Sequence, residues 1–406
     1  MTSPALAPPA PAPPRHRMTT WRLVLLGLVT ALGPLSIDLY LPAFPELADE
    51  LATSEAAVQL TLTACVVGLA LGQLVAGPWS DARGRKAPVV AGLLAWSAAS
   101  LACAVAPSIT TLTLLRLAQG LAGAIGAAVA RAVVRDLADG DQLTRAYARL
   151  MLVVGVVPIA APSVGGLLLG TTDWRGLFVV LALAGALVTV LVAVGLPETL
   201  PAHLRRSGVR RSLESYGVLL RDARFVGPAL VVGLVFAAMF SYVSVSPFVL
   251  RDGYDLSAAT YGLLFGVNAV GLVLGTQASA ALVARVPSAA VLRGALLAGA
   301  AAGLAMLAAA ATGALGLWGV AVPLLVVVTS VGVGMPVASA WAMQGHPERA
   351  GAASGLLGVF QFLLGGVLAP VVGAFGGGSA VPLAAAVVLL LGVALAASRR
   401  PAPAAA

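Results

Sequence analysis

Asp38 and Arg116 each stand as an isolated charge in a long apolar run, at 22–43 and 110–131. An ionised side chain near the middle of a bilayer costs about 2.5–3.5 kcal/mol on insertion scales, so such groups normally face a cavity and do work there. A carboxyl so placed, beside a movable cation or guanidinium, gains and loses a proton as its surroundings change. That is the chemistry of proton coupling, with Asp38 as the acceptor and Arg116 or a bound molecule competing for its charge. The alternative is a structural Asp38 that caps a helix break near Pro42. Gln119 and Gly120 follow Arg116 at i+3 and i+4 and give it a polar, narrow helix face. Tyr40 lies two residues beyond Asp38. Tyr261, Phe265 and Asn268 recur at i, i+4 and i+7, and Phe236 and Phe240 at i and i+4, so each set shares one helix face. Aromatic faces with a few polar groups suit flat, apolar molecules, although ordinary helix packing uses the same residues. Gln73, Gln277, Gln344 and Gln361 are further polar positions in apolar runs, where a glutamine can bond between helices.

A different chemistry is written in the segment 77–86, which holds Asp81, Arg83, Arg85 and Lys86 between and just beyond Gly77 and Gly84. Charges in a tight connection between two helices pair with one another and with helix ends, so this segment reads as a latch that holds or releases a conformation. Its simpler reading is a basic loop that only orients the chain.

These residues need long apolar elements to position them, and the composition supplies them. Of 406 residues, 60% are hydrophobic and 10% charged, and the mean hydropathy is +0.99; a soluble globular chain has roughly 25% charged residues. Apolar runs of about 20 residues fall at 22–43, 56–77, 88–106, 110–131, 147–170, 175–196, 224–248, 259–283, 290–311, 315–342, 351–374 and 379–397. The expected fold is an all-α integral membrane protein of twelve transmembrane helices in two six-helix halves. Residues 1–21 form a Pro- and Ala-rich tail, 22–196 and 224–397 the two bundles, 197–223 a polar linker with Arg205, Arg206, Arg210 and Arg211 near anionic lipid, and 398–406 a second tail. The first apolar run continues through Pro42 without a small-residue cleavage site, which argues against a cleaved signal.

Of the 24 Lys and Arg residues, Arg116 lies within a span and only Arg175 and Arg251 fall in odd-numbered connections. By the positive-inside rule both termini are cytoplasmic. The net charge of +8 is therefore topological, and no basic face interleaved with exposed aromatics points to nucleic acid. Cys65 and Cys103 sit in apolar runs and read as core residues. His16, His203 and His346 all fall in predicted cytoplasmic segments, so no histidine zinc site or Ser/His/Asp triad assembles within the membrane. Neither the run 376–378 nor any other segment makes a phosphate loop. The reading is a non-enzyme without cofactor or metal, using protons as its coupling ion.

Six plus six spans is the arrangement of internally duplicated transporters, whose substrate site lies between the halves. The chain resembles the major facilitator superfamily, and particular residues carry the likeness. Gly77, Asp81, Gly84, Arg85 and Lys86 match its signature G-x-L-x-D-R-x-G-R-R/K, with departures at Trp79 and Ala82, where Arg83 takes over the missing charge. Pro158, Pro162, Gly165 and Gly166 resemble the antiporter signature G-P-x-x-G-G, with Ala161 replacing its first glycine. The run 31–45 around Asp38, the run 130–136 and Leu196-Pro197-Glu198-Thr199-Leu200 look like the Bcr/CflA family of drug:proton antiporters. That resemblance implies export of small amphipathic antibiotics such as bicyclomycin, chloramphenicol and florfenicol by a multi-pass, monomeric inner-membrane protein through alternating access, with the 77–86 latch stabilising an outward-open state. The alternative cargo is an endogenous metabolite such as an amino acid or sugar. A sensor or assembly factor without transport would tolerate loss of both Asp38 and Arg116.

Overall fold

In lipid an apolar span has no hydrogen-bond partner for its backbone but itself, so each must close its own i to i−4 ladder. The computed structural model describes residues 18–137, 140–202, 205, 216–344, 350–375 and 378–398. It contains helices α1 (Thr20–Asp38), α2 (Glu55–Arg83), α3 (Lys86–Ala104), α4 (Ile109–Leu137), α5 (Gly140–Leu168), α6 (Trp174–Gly195), α7 (Ala223–Pro247), α8 (Ala258–Val283), α9 (Ser288–Thr312), α10 (Trp318–Gln344), α11 (Ala350–Ala374) and α12 (Ala380–Ala397). Among the described residues eleven helical spans are long and apolar enough to cross a membrane, and the apolar stretch Val156–Leu168 of α5 is a shorter one. The tails 1–17 and 399–406, the linker arginines Arg206, Arg210 and Arg211, and the histidines His16, His203 and His346 lie outside the described residues.

Side-chain oxygens start these helices where the sequence offers them. Thr19, Ser54, Asp173, Asp222, Ser257 and Ser379 each accept a backbone N–H of the first turn, which satisfies a donor that the helix leaves orphaned. Large apolar side chains such as Leu183, Leu187 and Val194 on α6 and Leu389 on α12 point outward, as do Trp21, Trp318 and Phe375, while rings such as Tyr40, Phe178, Tyr242 and Phe265 lie inside. An apolar exterior is what a lipid solvent requires, and the chain is a multi-pass membrane protein.

The packing repeats after six helices. In the first half α2 packs on α4, α3 on α4 and α6, and α1 on α4, α5 and α6; in the second, α8 packs on α10, α9 on α10 and α12, and α7 on α10, α11 and α12. The halves meet along α2 with α11 and α5 with α8. Two glycine seams make each half stiff. A Cβ on Gly120 of α4 would overlap the Cys65 carbonyl of α2, and a Cβ on Gly275 of α8 would overlap the Thr329 carbonyl of α10. Backbones that approach this closely are the usual substitute in lipid for hydrophobic burial between helices.

Several boundaries differ from the sequence reading: α4 runs on to Leu137 rather than 131 and α5 begins at Gly140 rather than 147, and two further differences bear on the site. The first span was expected to continue to residue 43, but α1 ends at Asp38, followed by a 3-10 turn (Leu41–Ala43) and a short helix (Phe44–Glu50). Pro42 and Pro45 cannot donate to the α1 ladder and restart the chain as first-turn prolines. The second span was expected to end at residue 77, yet α2 runs through Pro78 to Arg83, so Gly77 does not break the helix. Only Gly84, with φ of 91°, makes the turn into α3, in a region that favours glycine.

Candidate functional site: a cavity between the halves

Between the halves lies a cavity of about 270 Å³. From the first half come Thr30, Pro34, Ile37 and Asp38 of α1, with Gln73 of α2 and Arg131 of α4 toward the arginine-rich end. The second half contributes rings. Phe236 and Phe240 stack with centroids 5.6 Å apart, Phe362 stands edge-on to Phe236 at 5.3 Å, and Tyr242 stacks on Phe265 at 5.3 Å; all five line the cavity. Thr30 and Asp38 are eight residues apart on one helix, so the polar points of α1 are spread over about 12 Å of the wall.

Asp38 is the carboxylate among the described lining residues, 6% exposed. No hydrogen bond or ion pair to it is found among the described residues. Asn268 Nδ2 donates to the Tyr242 hydroxyl at 3.0 Å, which leaves that hydroxyl its own hydrogen to give. The site can therefore hold a proton or a cation at Asp38 and a flat apolar body against the rings.

Arg116 occupies a different place. It is fully buried in the first half, where Nη1 donates to Gln119 Oε1 and Gln119 Nε2 donates to Ser100 Oγ at 2.7 Å. Its guanidinium sits 4.3 Å from the centre of the Tyr40 ring and 5.6 Å from that of Phe178, a cation–π seat that is strong when desolvated. Tyr40 in turn pairs its hydroxyl with Thr61 Oγ1 at 3.0 Å. The structure thus brings Asp38, Phe236, Phe240 and Phe265 to one cavity, with Asn268 one bond behind, and it does not bring Arg116, Gln119, Tyr40 or Tyr261 there. Tyr261 is buried with its hydroxyl 3.2 Å from Ser246 Oγ. The cause is the end of α1 at Asp38, beyond which Tyr40 leaves the cavity-facing side. Met239, Tyr242, Phe362, Gln73 and Arg131 are lining residues that the sequence reading did not assign to the cavity. Extending the Phe236 face of α7 by i+3 and i+7 finds Met239 and Val243; Tyr242 and Phe362 carry no local signal.

Small residues on α5 close the far end of the cavity. A Cβ on Gly165 would overlap the Leu39 carbonyl and one on Gly166 the Ala258 carbonyl, while Gly262 of α8 approaches the Pro162 carbonyl. Ser163 Oγ donates to the Gly262 carbonyl at 3.0 Å. Gly165 thus seats α5 against the turn after Asp38, Gly166 and Pro162 seat it against the other half, and Pro158 lines the cavity.

At the arginine-rich end the segment 77–86 is organised around Arg85. Its Nη1 donates to Asp81 Oδ1 at 2.6 Å and Ser80 Oγ at 2.7 Å, and its Nε to Asp136 Oδ2 at the end of α4 at 2.9 Å. Glu198, beyond α6, accepts the backbone N–H groups of Arg85 at 2.8 Å and Lys86 at 3.3 Å. Gly84 is required here because a Cβ would strike the Glu198 carboxylate. Arg83 is exposed, so among the described residues the compensating role read for it has no contact behind it, and Lys86 contributes its backbone. These contacts join elements of the first half to one another.

Burial would raise the Glu198 carboxyl, but donation from the Arg85, Leu200 and Lys86 amides and the nearby Arg205 charge outweigh it and hold the group below its ordinary value. A depressed carboxyl stabilises the fold above the ordinary carboxylate range, and that stabilisation is lost as pH falls through the folded value. Glu198→Gln is expected to unfold a few degrees below the parent in detergent at neutral pH, the gap closing in buffers below about pH 4. An equal gap at both pH values would contradict the ionic role.

The Major Facilitator Superfamily profile matches residues 26–370. The uncharacterized MFS-type transporter YdgK of Bacillus subtilis (strain 168) is 40% identical over 359 residues, covering 86% of this chain and 87% of that one. The bicyclomycin resistance protein homolog of Haemophilus influenzae is 29% identical over 365 residues, covering 89% and 91%. The crystal structure of a D-xylose-proton symporter superposes with a TM-score of 0.74 at 14% identity, covering 94% of this chain and 97% of that one; at that identity the likeness speaks for the fold alone.

Proposed function

This chain belongs to the Major Facilitator Superfamily and is a membrane transporter rather than an enzyme, and from that premise we propose that it exports small amphipathic drugs in exchange for protons. The observation that carries the reading is Asp38, a carboxylate without a bonded partner among the described residues, at one end of a cavity whose opposite wall is aromatic. Flat apolar cargo takes the rings, and protonation of Asp38 alternates with cargo binding. Similarity to a bicyclomycin resistance protein homolog supports a drug as cargo. An amino acid or sugar would need more hydrogen-bonding groups than this wall offers.

With both termini cytoplasmic, the seam at Gly165, Gly166 and Gly262 closes the outer side and the cavity faces the cytoplasm. Rocking of the two stiff halves about Asp38 then exposes it to the other side. Each proton moving inward releases about 2.3 kcal/mol per 100 mV, apart from the pH gradient. The first half works as one body at its cytoplasmic end through Arg85, and in this inward-facing state the 77–86 latch is engaged within that half.

The test is a resistance panel in an efflux-deficient bacterial host with chloramphenicol, florfenicol and bicyclomycin. Expression is expected to raise the inhibitory concentration of at least one compound several-fold, with reversal by a protonophore. Absence of protection against all of them, with the protein present in the membrane, would remove the drug reading in favour of a metabolite.

A further inference from the structure

At its closed end the cavity is held by a piece of α7 that neither the aromatic wall nor the helix seams explain. After Pro247 the helix widens into one π-helical turn, Phe248–Asp252. That turn reaches over to the other half. Arg251 Nη1 donates to the Pro42 carbonyl, in the 3-10 turn after α1, and to Glu46 Oε2 at 2.5 Å on the short helix that follows. Phe248 stands 5.9 Å from the Phe44 ring, Phe44 is 5.0 Å from Tyr40, and Tyr40 lies under the Arg116 guanidinium. One turn of the second half therefore grips the break in α1 from which Asp38 faces the cavity and Tyr40 faces Arg116.

The charges around the grip explain why a cation is needed. Beside it opens a hollow of about 580 Å³ lined by Asp49 and Glu55 from the first half and Asp252 from the second. With Glu46, these acids would repel one another across the seam. The Arg251 side chain is 15% exposed, and a cation so withdrawn from water attracts the acids around it more strongly than a solvated one. A cation–carboxylate bond in that position is broken whenever the halves part.

We propose that Arg251 is the bolt of the closed end and, through the Pro42 carbonyl, a positioning residue for Asp38. This rests on the alternating-access reading of the cavity. Separation of the halves at this end requires Arg251 to leave Pro42 and Glu46, and the 3-10 turn then relaxes, changing how Asp38 faces the cavity.

The bolt is tested by spin–spin distance measurement between labels on exposed positions of the two halves at this end, Thr171→Cys and Leu315→Cys, in full-length protein in lipid nanodiscs. Arg251→Ala is expected to shift the ratio of short to long distances by about tenfold or more toward the separated form. Arg251→Lys, which keeps charge but loses the planar fork, falls between. Glu46→Gln, a change at a half-exposed side chain, shifts the ratio in the same direction and carries the test if Arg251→Ala does not fold. Parent-like distances in the variants that fold would overturn the bolt.

Positioning is read from the rate at which a hydrophobic carbodiimide labels Asp38, followed by peptide mass spectrometry. Arg251→Ala changes that rate and Arg251→Lys restores it toward the parent; an unchanged rate overturns the positioning role. Both measurements need neither cargo nor proton gradient, so they stand apart from the outcome of the resistance panel.

Discussion

Proteoliposomes containing Asp38→Asn are expected to show no uphill drug movement in response to an imposed pH gradient, their signal falling to that of empty liposomes. Asparagine keeps the volume of the side chain and one carbonyl oxygen, so the cavity keeps its shape and the rings of Phe240, Tyr242 and Phe265 keep their places. What disappears is the ability to carry a proton. No other described lining residue is an acid, and Arg116, fully buried against Tyr40 and Phe178, does not reach the cavity. The variant should still reach the membrane, elute as the parent does and bind cargo, and exchange of labelled for unlabelled cargo without a gradient should persist. The decisive comparison is drug-induced proton release from detergent-solubilised protein, present in the parent and absent in the variant. Uphill transport retained by Asp38→Asn would take the coupling role away from this residue.

A second large effect is expected for stability. A Cβ at Gly120 would overlap the Cys65 carbonyl oxygen and stand 2.8 Å from its carbon and 3.0 Å from the Leu69 nitrogen. These are backbone atoms of α2 and cannot rotate aside. Gly120→Val must push α4 away from α2, one turn after Arg116 and beside Gln119, so the buried guanidinium loses its fit over Tyr40 as well. Overpacking of a tight core costs about 1–3 kcal/mol and occasionally more; with backbone on both sides the upper end of that range is expected. The measurement is the yield of monodisperse protein and its unfolding temperature in detergent. Gly294→Ala is the control, since a Cβ there meets nothing within 4 Å, and it should leave both unchanged. A well-behaved Gly120→Val with the parent's unfolding temperature would show that the seam yields.

Lone charges and helix spacing made part of this site legible in the sequence. Asp38 announced itself because an acid in an apolar run needs a reason, and Phe236, Phe240 and Phe265 followed from i+4 spacing on predicted helices. Tyr242 and Phe362 did not, because a helix's rotation about its axis is decided by contacts between α7, α8 and α11 that lie far apart in sequence. Arg116 was read as Asp38's competitor because both are charges within spans; the end of α1 at Asp38 turns Tyr40, not Asp38, toward it. In the 77–86 segment the residue types were readable, but the central position of Arg85 was not. Its partners Asp136 and Glu198 come from other helix ends.

The twelve spans were visible as hydropathy and their division into six plus six by the polar linker, whereas the matched glycine seams at Gly120 and Gly275 that pack each half were not, since no repeated phrase of sequence marks them.

The two walls of the cavity differ in origin. The lining acid belongs to the first six helices, and each of the lining rings Phe236, Phe240, Tyr242, Phe265 and Phe362 belongs to the last six. Under the proposed drug:proton exchange, energy conversion and cargo choice would lie on separate stretches of the gene. Substitutions that widen or narrow the aromatic wall could then accumulate under changing chemical challenge without touching Asp38. A lineage of such proteins would keep its engine constant while its spectrum drifts.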